Sequence, residues 1–141
     1  MDIIGEFKGR HRFLSNFYPA EVVLDGTPYP DVEHAYQAAK TLDRLERARI
    51  AACRTPGGAK RLGRKATIRP NWEGIKLGIM FGLLQQKFQL VPFTELLRAT
   101  GDSILIEGNT WGDRYWGADL NTGEGENRLG RMLMLIRVEN G

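Results

Sequence analysis

Residues 31–40, DVEHAYQAAK, follow Pro30 and read as a helix start whose polar groups are already in place. Pro30 discourages helix before it, Asp31 can accept hydrogen bonds from the free amides of a first turn, and helix formers follow. The helix therefore begins near Val32. At about 100° per residue, Val32, Ala35, Ala39 and Leu42 form an apolar stripe, and Glu33, Tyr36, Gln37 and Lys40 form a second stripe beside it. One face packs, and its neighbour presents a carboxylate, a phenol, an amide and an ammonium. The same pattern also suits an amphipathic surface helix with a solvated polar side.

Upstream, VVLDGTPYP sets Asp25 and Gly26 between apolar and β-branched residues, a hairpin signal whose second arm is cut short by Pro28 and Pro30. The opening FKGRHRFLSNFYP, limited by Gly9 and Pro19, reads as a loop after a short strand. Downstream, Thr41 to Arg54 stays helical, with Leu42, Leu45, Arg49 and Ala52 near one side and a basic opposite side. Thr55 and Pro56 fit an N-cap and first helical position, and GGAKRLGRK brings Gly57 and Gly58 close to four cations, a weak phosphate cradle beside the alternative of a solvated basic turn. Pro70 and Asn71 open the central helix, in which Ile75, Ile79, Leu83 and Lys87 follow helical spacing and Trp72 and Lys76 stand one turn apart. FTELLRATG makes a short helix stopped by Gly101, and SILIE suits a buried strand. GNTWGDRYWGADLNTGEGENRLG is a long loop rich in aromatics, acids and glycines, as functional loops are. In such a loop Asp113 and Asp119 also suit backbone-bonding turns. The final run NRLGRMLMLIRV is an apolar helix with Asn127 as its cap.

These elements predict an α+β fold: a single helix-dominated domain over residues 1–141 with a small antiparallel sheet or hairpin. A chain of 141 residues with 42% hydrophobic residues fills one core. Its 20 basic and 17 acidic side chains give a charge of +3, which favours an anionic partner without forming a polybasic tail. The single Cys53 excludes an internal disulfide and a cysteine-rich zinc site, and it reads as a small buried thiol without a role. With neither a secretory segment nor an apolar run of membrane length, the expected compartment is the cytoplasm.

His11 and His34 have no partner at metal-binding spacing, so the expected metal set is none, and a histidine-dependent triad is equally thin. Both read as surface or hydrogen-bonded groups. Carboxylates, aromatics and cations remain, a set suited to glycosidic cleavage: a carboxylate stabilises an oxocarbenium-like state or activates water, an indole stacks on a base, and cations hold phosphate.

The pieces FLSNFYP, the DG turn followed by VEHAYQAAK, LGR near Arg61 to Arg64, RPNWEGIK, LLQQKF, DRYWG and NRLGRMLMLIR, in this order along nearly the whole chain, resemble the NADAR domain, YbiA-like family. The resemblance implies an N-glycosidase that needs no cofactor. Its substrates would be phosphorylated ribosylaminopyrimidine intermediates of riboflavin synthesis or ADP-ribosylated guanine in nucleic acid, both cut between ribose C1 and nitrogen. It carries the catalytic Glu onto Glu33, the family's Trp onto Trp72 and its acid before the Trp-Gly pair onto Asp113, with Asp119 as the alternative because DLNTGEGE lengthens the loop here. The implied substrate contacts are Asn16, Phe17, Tyr36, Gln37, Lys40, Arg61, Arg64, Lys76, Trp116, Gly117, Asp119 and Asn127, with the four cations on phosphate. Glu33, Trp72 and Asp113 are expected to line one cleft. A position in the first helical turn favours ionised Glu33, and so a base, unless burial outweighs the helix dipole. Two readings compete: a non-catalytic module binding ADP-ribose or a nucleotide, and a nucleic-acid binder using the basic segment from Arg44 to Lys65.

Overall fold

The computed structural model describes residues 2–141 and divides them into two compact units, one of residues 16–87 and the other of residues 2–15 with 88–141. Helices dominate, as the sequence predicts.

In the unit of residues 16–87, β-strands Val22–Leu24 and Thr27–Tyr29 pair antiparallel. Asp25 (φ 49°) and Gly26 (φ 80°) make the two-residue turn, whose positive φ angles match the twist of the flanking strands. The Gln86 side chain donates to the Val23 carbonyl (2.8 Å) and accepts from its N–H (2.7 Å), so the central helix grips the hairpin edge. Four helices follow: α1 (Val32–Ala39), α2 (Arg44–Ala51), α3 (Pro56–Gly63) and α4 (Trp72–Lys87).

Asp31 caps α1 as expected, accepting from the His34 N–H at 2.8 Å. All eight residues of α1 are buried, since α2, α3 and α4 each pack against it. Small Ala35, Ala38 and Ala39 permit that approach. The polar stripe is therefore inside, not on a solvated surface. Leu42 falls outside the stripe because α1 stops at Ala39, which leaves Leu42 59% exposed. The continuous helix expected over 41–54 is shorter, and its buried residue is Ile50, with Leu45 turned outward. Gly57 and Gly58 lie in the first turn of α3, where the Thr55 hydroxyl accepts from Gly58 at 3.0 Å; the cradle loses that amide to a cap. In α4 the deepest positions are Trp72, Met80, Leu83, Leu84 and Lys87, while Ile75 and Ile79 are half-buried.

In the second unit, β-strand Ile3–Ile4 pairs in parallel with Ile104–Leu105. Gly9–Leu14, expected as loop, forms a 3-10 helix that buries Phe13 and Leu14. Helix α5 (Phe93–Arg98) ends before Gly101 (φ 64°). The long loop contains a second parallel pair, Gly108–Asn109 with Ala118–Asp119, that its glycine content hides. Helix α6 (Arg128–Asn140) packs on Ile104–Leu105 and buries Leu129, Leu133 and Ile136 along one stripe. Asn127 makes no side-chain cap: it is left-handed (φ 49°), and its amide accepts from Glu107 N–H and donates to the Leu105 carbonyl, both at 2.9 Å.

Gly130 makes the closest approach in α6. A Cβ there would lie 2.1 Å from the Leu105 carbonyl oxygen. Gly130→Ala should therefore destabilise the protein by about 1–3 kcal/mol, although alanine is the better helix former. Thermal unfolding checks this, and an unchanged or raised Tm would contradict the packing.

Candidate functional site

Glu33 is held from two sides. Its N–H donates to the Asn16 carbonyl at 3.2 Å, and its Oε2 accepts from Gln37 Nε2 at 2.5 Å, one helical turn along. The Asn16 amide nitrogen faces Met80 sulfur at 3.5 Å. Gln37 Oε1 and Asn16 Oδ1 are both buried without a hydrogen-bond partner among the described residues. Gln37 Oε1 packs on the Gly63 backbone, and the orphaned Asn16 acceptor beside Glu33 invites a ligand bearing donors.

Burial pushes the Glu33 carboxyl above the ordinary glutamate range, against the Gln37 hydrogen bond and the Lys60 and Lys40 charges, with Asp31 adding to the rise. Burial thus outweighs the first-turn position and favours the protonated form of Glu33 relative to an exposed glutamate. Lys40 moves the other way: burial lowers it, Glu33 opposes that, and Lys60, Arg64 and Lys76 lower it further. One buried carboxylate and several converging cations form an anion-seeking cluster.

A raised folded-state value means that the stability owed to Glu33 is fully present below the ordinary glutamate range and is lost as pH rises through the folded-state value. Glu33→Gln should remove that loss, giving a variant more stable than the parent at neutral pH. Denaturant unfolding from pH 4 to 8 checks it; equal pH dependence in both proteins would refute the shift.

Trp72 is buried and faces Tyr36, with ring centroids 5.3 Å apart and planes tilted by 51°. Tyr36 follows Glu33 by three residues, so carboxylate, phenol and indole share one side of α1. Lys40 Nζ lies 5.8 Å from the Tyr36 ring centroid. Lys76 binds Glu73 at 2.8 Å. Arg61 is exposed and folds back over Gly58. Lys60 takes the inner position that the sequence reading missed. The available signal was spacing: Ala59 and Gly63 mark the buried face of α3, which puts Lys60 beside it and Arg61 on the opposite side. Phe17 is 42% exposed.

The remaining predicted residues belong to the second unit. Asp113 Oδ1 accepts from Tyr115 N–H (3.1 Å) and Trp116 N–H (2.9 Å). Asp119 Oδ1 accepts from Asn121 (2.8 Å) and Thr122 (2.9 Å), and these bonds hold its carboxyl below the usual range. Both are turn-forming aspartates. Gly117 is buried, since a Cβ would lie 2.1 Å from the Glu107 carbonyl. A cavity of about 900 Å³ in this unit, lined by Ile4, Phe13, Leu96 and Ser103 among others, contains none of the predicted residues.

A model of the NADAR domain matches residues 5–139. The chain belongs to the NADAR family. It is 40% identical over 129 residues to the N-glycosidase YbiA of Escherichia coli K12, covering 89% of this chain and 79% of that one. It is 38% identical over 132 residues to a riboflavin biosynthesis protein of Vibrio vulnificus, covering 92% of this chain but only 35% of that longer protein. The NMR structure of E. coli YbiA superposes with a TM-score of 0.84 at 36% identity, over 99% of this chain and 85% of that one. The NADAR fold and the relatives' names together support a glycosidase-type function.

Proposed function

We propose that this NADAR protein is an N-glycosidase that hydrolyses the bond between ribose C1 and nitrogen in a phosphorylated ribosylaminopyrimidine. The observation that carries this reading is Glu33: a buried carboxylate whose ionised form burial disfavours, flanked by the orphaned acceptor of Asn16 and faced by Lys40 and Lys60. A ribose hydroxyl supplies the donor that Asn16 Oδ1 lacks, and the phosphate meets Lys40, Lys60, Arg64 and Lys76. As the C1–N bond breaks, its electron pair stays on nitrogen, which gains a proton, and positive charge develops at C1. Glu33 stabilises that charge and takes a proton from the water whose oxygen bonds to C1, and that proton is passed on to the leaving nitrogen, so the two products share one water and Glu33 is regenerated. Tyr36 and Trp72 give the base or ribose an aromatic wall.

Purified protein incubated separately with a phosphorylated ribosylaminopyrimidine and with guanine-ADP-ribosylated DNA, followed by mass spectrometry, tests the substrate. Free aminopyrimidine and ribose phosphate are expected. Release of free ADP-ribose from the DNA instead would transfer the reading to that substrate, and binding without release would make the protein a recognition module.

A further inference from the structure

We propose that His34 is a positioning residue: its ring clamps the helix that carries Glu33 to the start of the helix that carries Lys60. This inference rests on the N-glycosidase reading for its effect on rate.

His34 is 1% exposed, too deep to meet substrate. Its Nδ1 lies 2.8 and 2.9 Å from the two Asp31 carboxylate oxygens, and its Nε2 lies 2.9 Å from the Cys53 carbonyl oxygen. A carbonyl oxygen only accepts, so Nε2 donates to Cys53, while Nδ1 bonds the Asp31 carboxyl group, which also accepts from the His34 backbone N–H. The ring is thus a strut with a bond at each end. Its far end is placed for a purpose beyond filling space. Cys53 sits two residues before Thr55, the cap of α3, so the strut ties the first turn of α1 to the segment that launches α3.

At its other end α3 is seated against α1 through Gly63, where a Cβ would strike the Gln37 side chain, and Gln37 is the residue that holds Glu33. Two anchors, His34 to Cys53 and Gly63 against Gln37, fix the separation between Glu33 on α1 and Lys60 on α3. An apolar residue at position 34 would fill the volume but leave the Cys53 carbonyl and part of Asp31 without partners.

The test is a double-mutant cycle with the phosphorylated ribosylaminopyrimidine. His34→Asn keeps a donor near Asp31 but stops short of Cys53, and it should lower kcat about tenfold or more with KM little changed, as small misplacements do. His34→Gln reaches towards the Cys53 carbonyl and should recover part of the loss. In a Glu33→Gln background, His34→Asn should add nothing; an equal loss in both backgrounds would show a merely structural role and overturn the proposal. If the parent protein turns over no N-glycoside, the N-glycosidase reading fails separately, and the clamp is read from 15N-edited spectra. A slowly exchanging His34 Nε2–H signal is expected, and its absence or rapid exchange would overturn the clamp.

Discussion

Glu33→Gln is expected to lower kcat by about 10² or more while ligand affinity stays nearly unchanged. Glutamine has nearly the shape of glutamate, and its carbonyl can accept the bond that Gln37 donates to Oε2, so the packing of α1 is retained. What disappears is a negative charge at the place where positive charge develops on the sugar, together with a group able to take a proton from water. Buried among cations and away from bulk solvent, that charge acts in a setting where electrostatic stabilisation is strong. The variant should also gain stability at neutral pH, because burial disfavours the ionised form of the parent's carboxyl and glutamine carries no charge. Slower and more stable is a combination that damaged folding does not produce. Steady-state kinetics with calorimetry on one ligand checks the first half, and a parallel loss of affinity would reassign Glu33 to binding.

Trp72→Ala should cost about 3–5 kcal/mol of stability, the usual price of emptying a buried indole site. Trp72 is only 6% exposed, and its ring packs on Tyr36 at the first turn of α4 against α1. The substitution opens a cavity beside Glu33 and frees the Tyr36 ring. Ligand affinity should fall as well, by about 1–3 kcal/mol if the indole gives a base its stacking face. Trp72→Phe keeps an aromatic wall and should retain most of both. Thermal unfolding followed by calorimetry well below each variant's Tm separates the two losses. A Trp72→Ala protein of parental stability would contradict the burial, and one of parental affinity would remove Trp72 from the site.

The start of α1 was legible because its signals are local. Pro30, Asp31 and a run of helix formers specify a cap and a helix without reference to the rest of the chain, and the turn at Asp25 and Gly26 is equally self-contained. Contacts distant in sequence were not. Nothing local to Glu33 says that α3 and α4 will cover it, so the balance between helix dipole and burial could be posed but not decided. Lys60 was missed for the same reason: its relevance depends on which face of α3 meets α1, set by Gly63 fitting against Gln37. Asn127 stands where a cap belongs, yet its amide bonds the backbone of Glu107 and Leu105, about twenty residues away. The short parallel strands of the second unit are two residues each, too brief for any periodicity to register.

Single-turnover reaction of the parent protein and of Glu33→Gln with a phosphorylated ribosylaminopyrimidine, quenched over time and read by mass spectrometry, tests the central claim most directly. The expected result is free aminopyrimidine and ribose phosphate from the parent, and a rate lower by about 10² or more from the variant at saturating substrate. An intact ribose–nitrogen bond in both samples, or cleavage by the variant at the parental rate, would contradict the account.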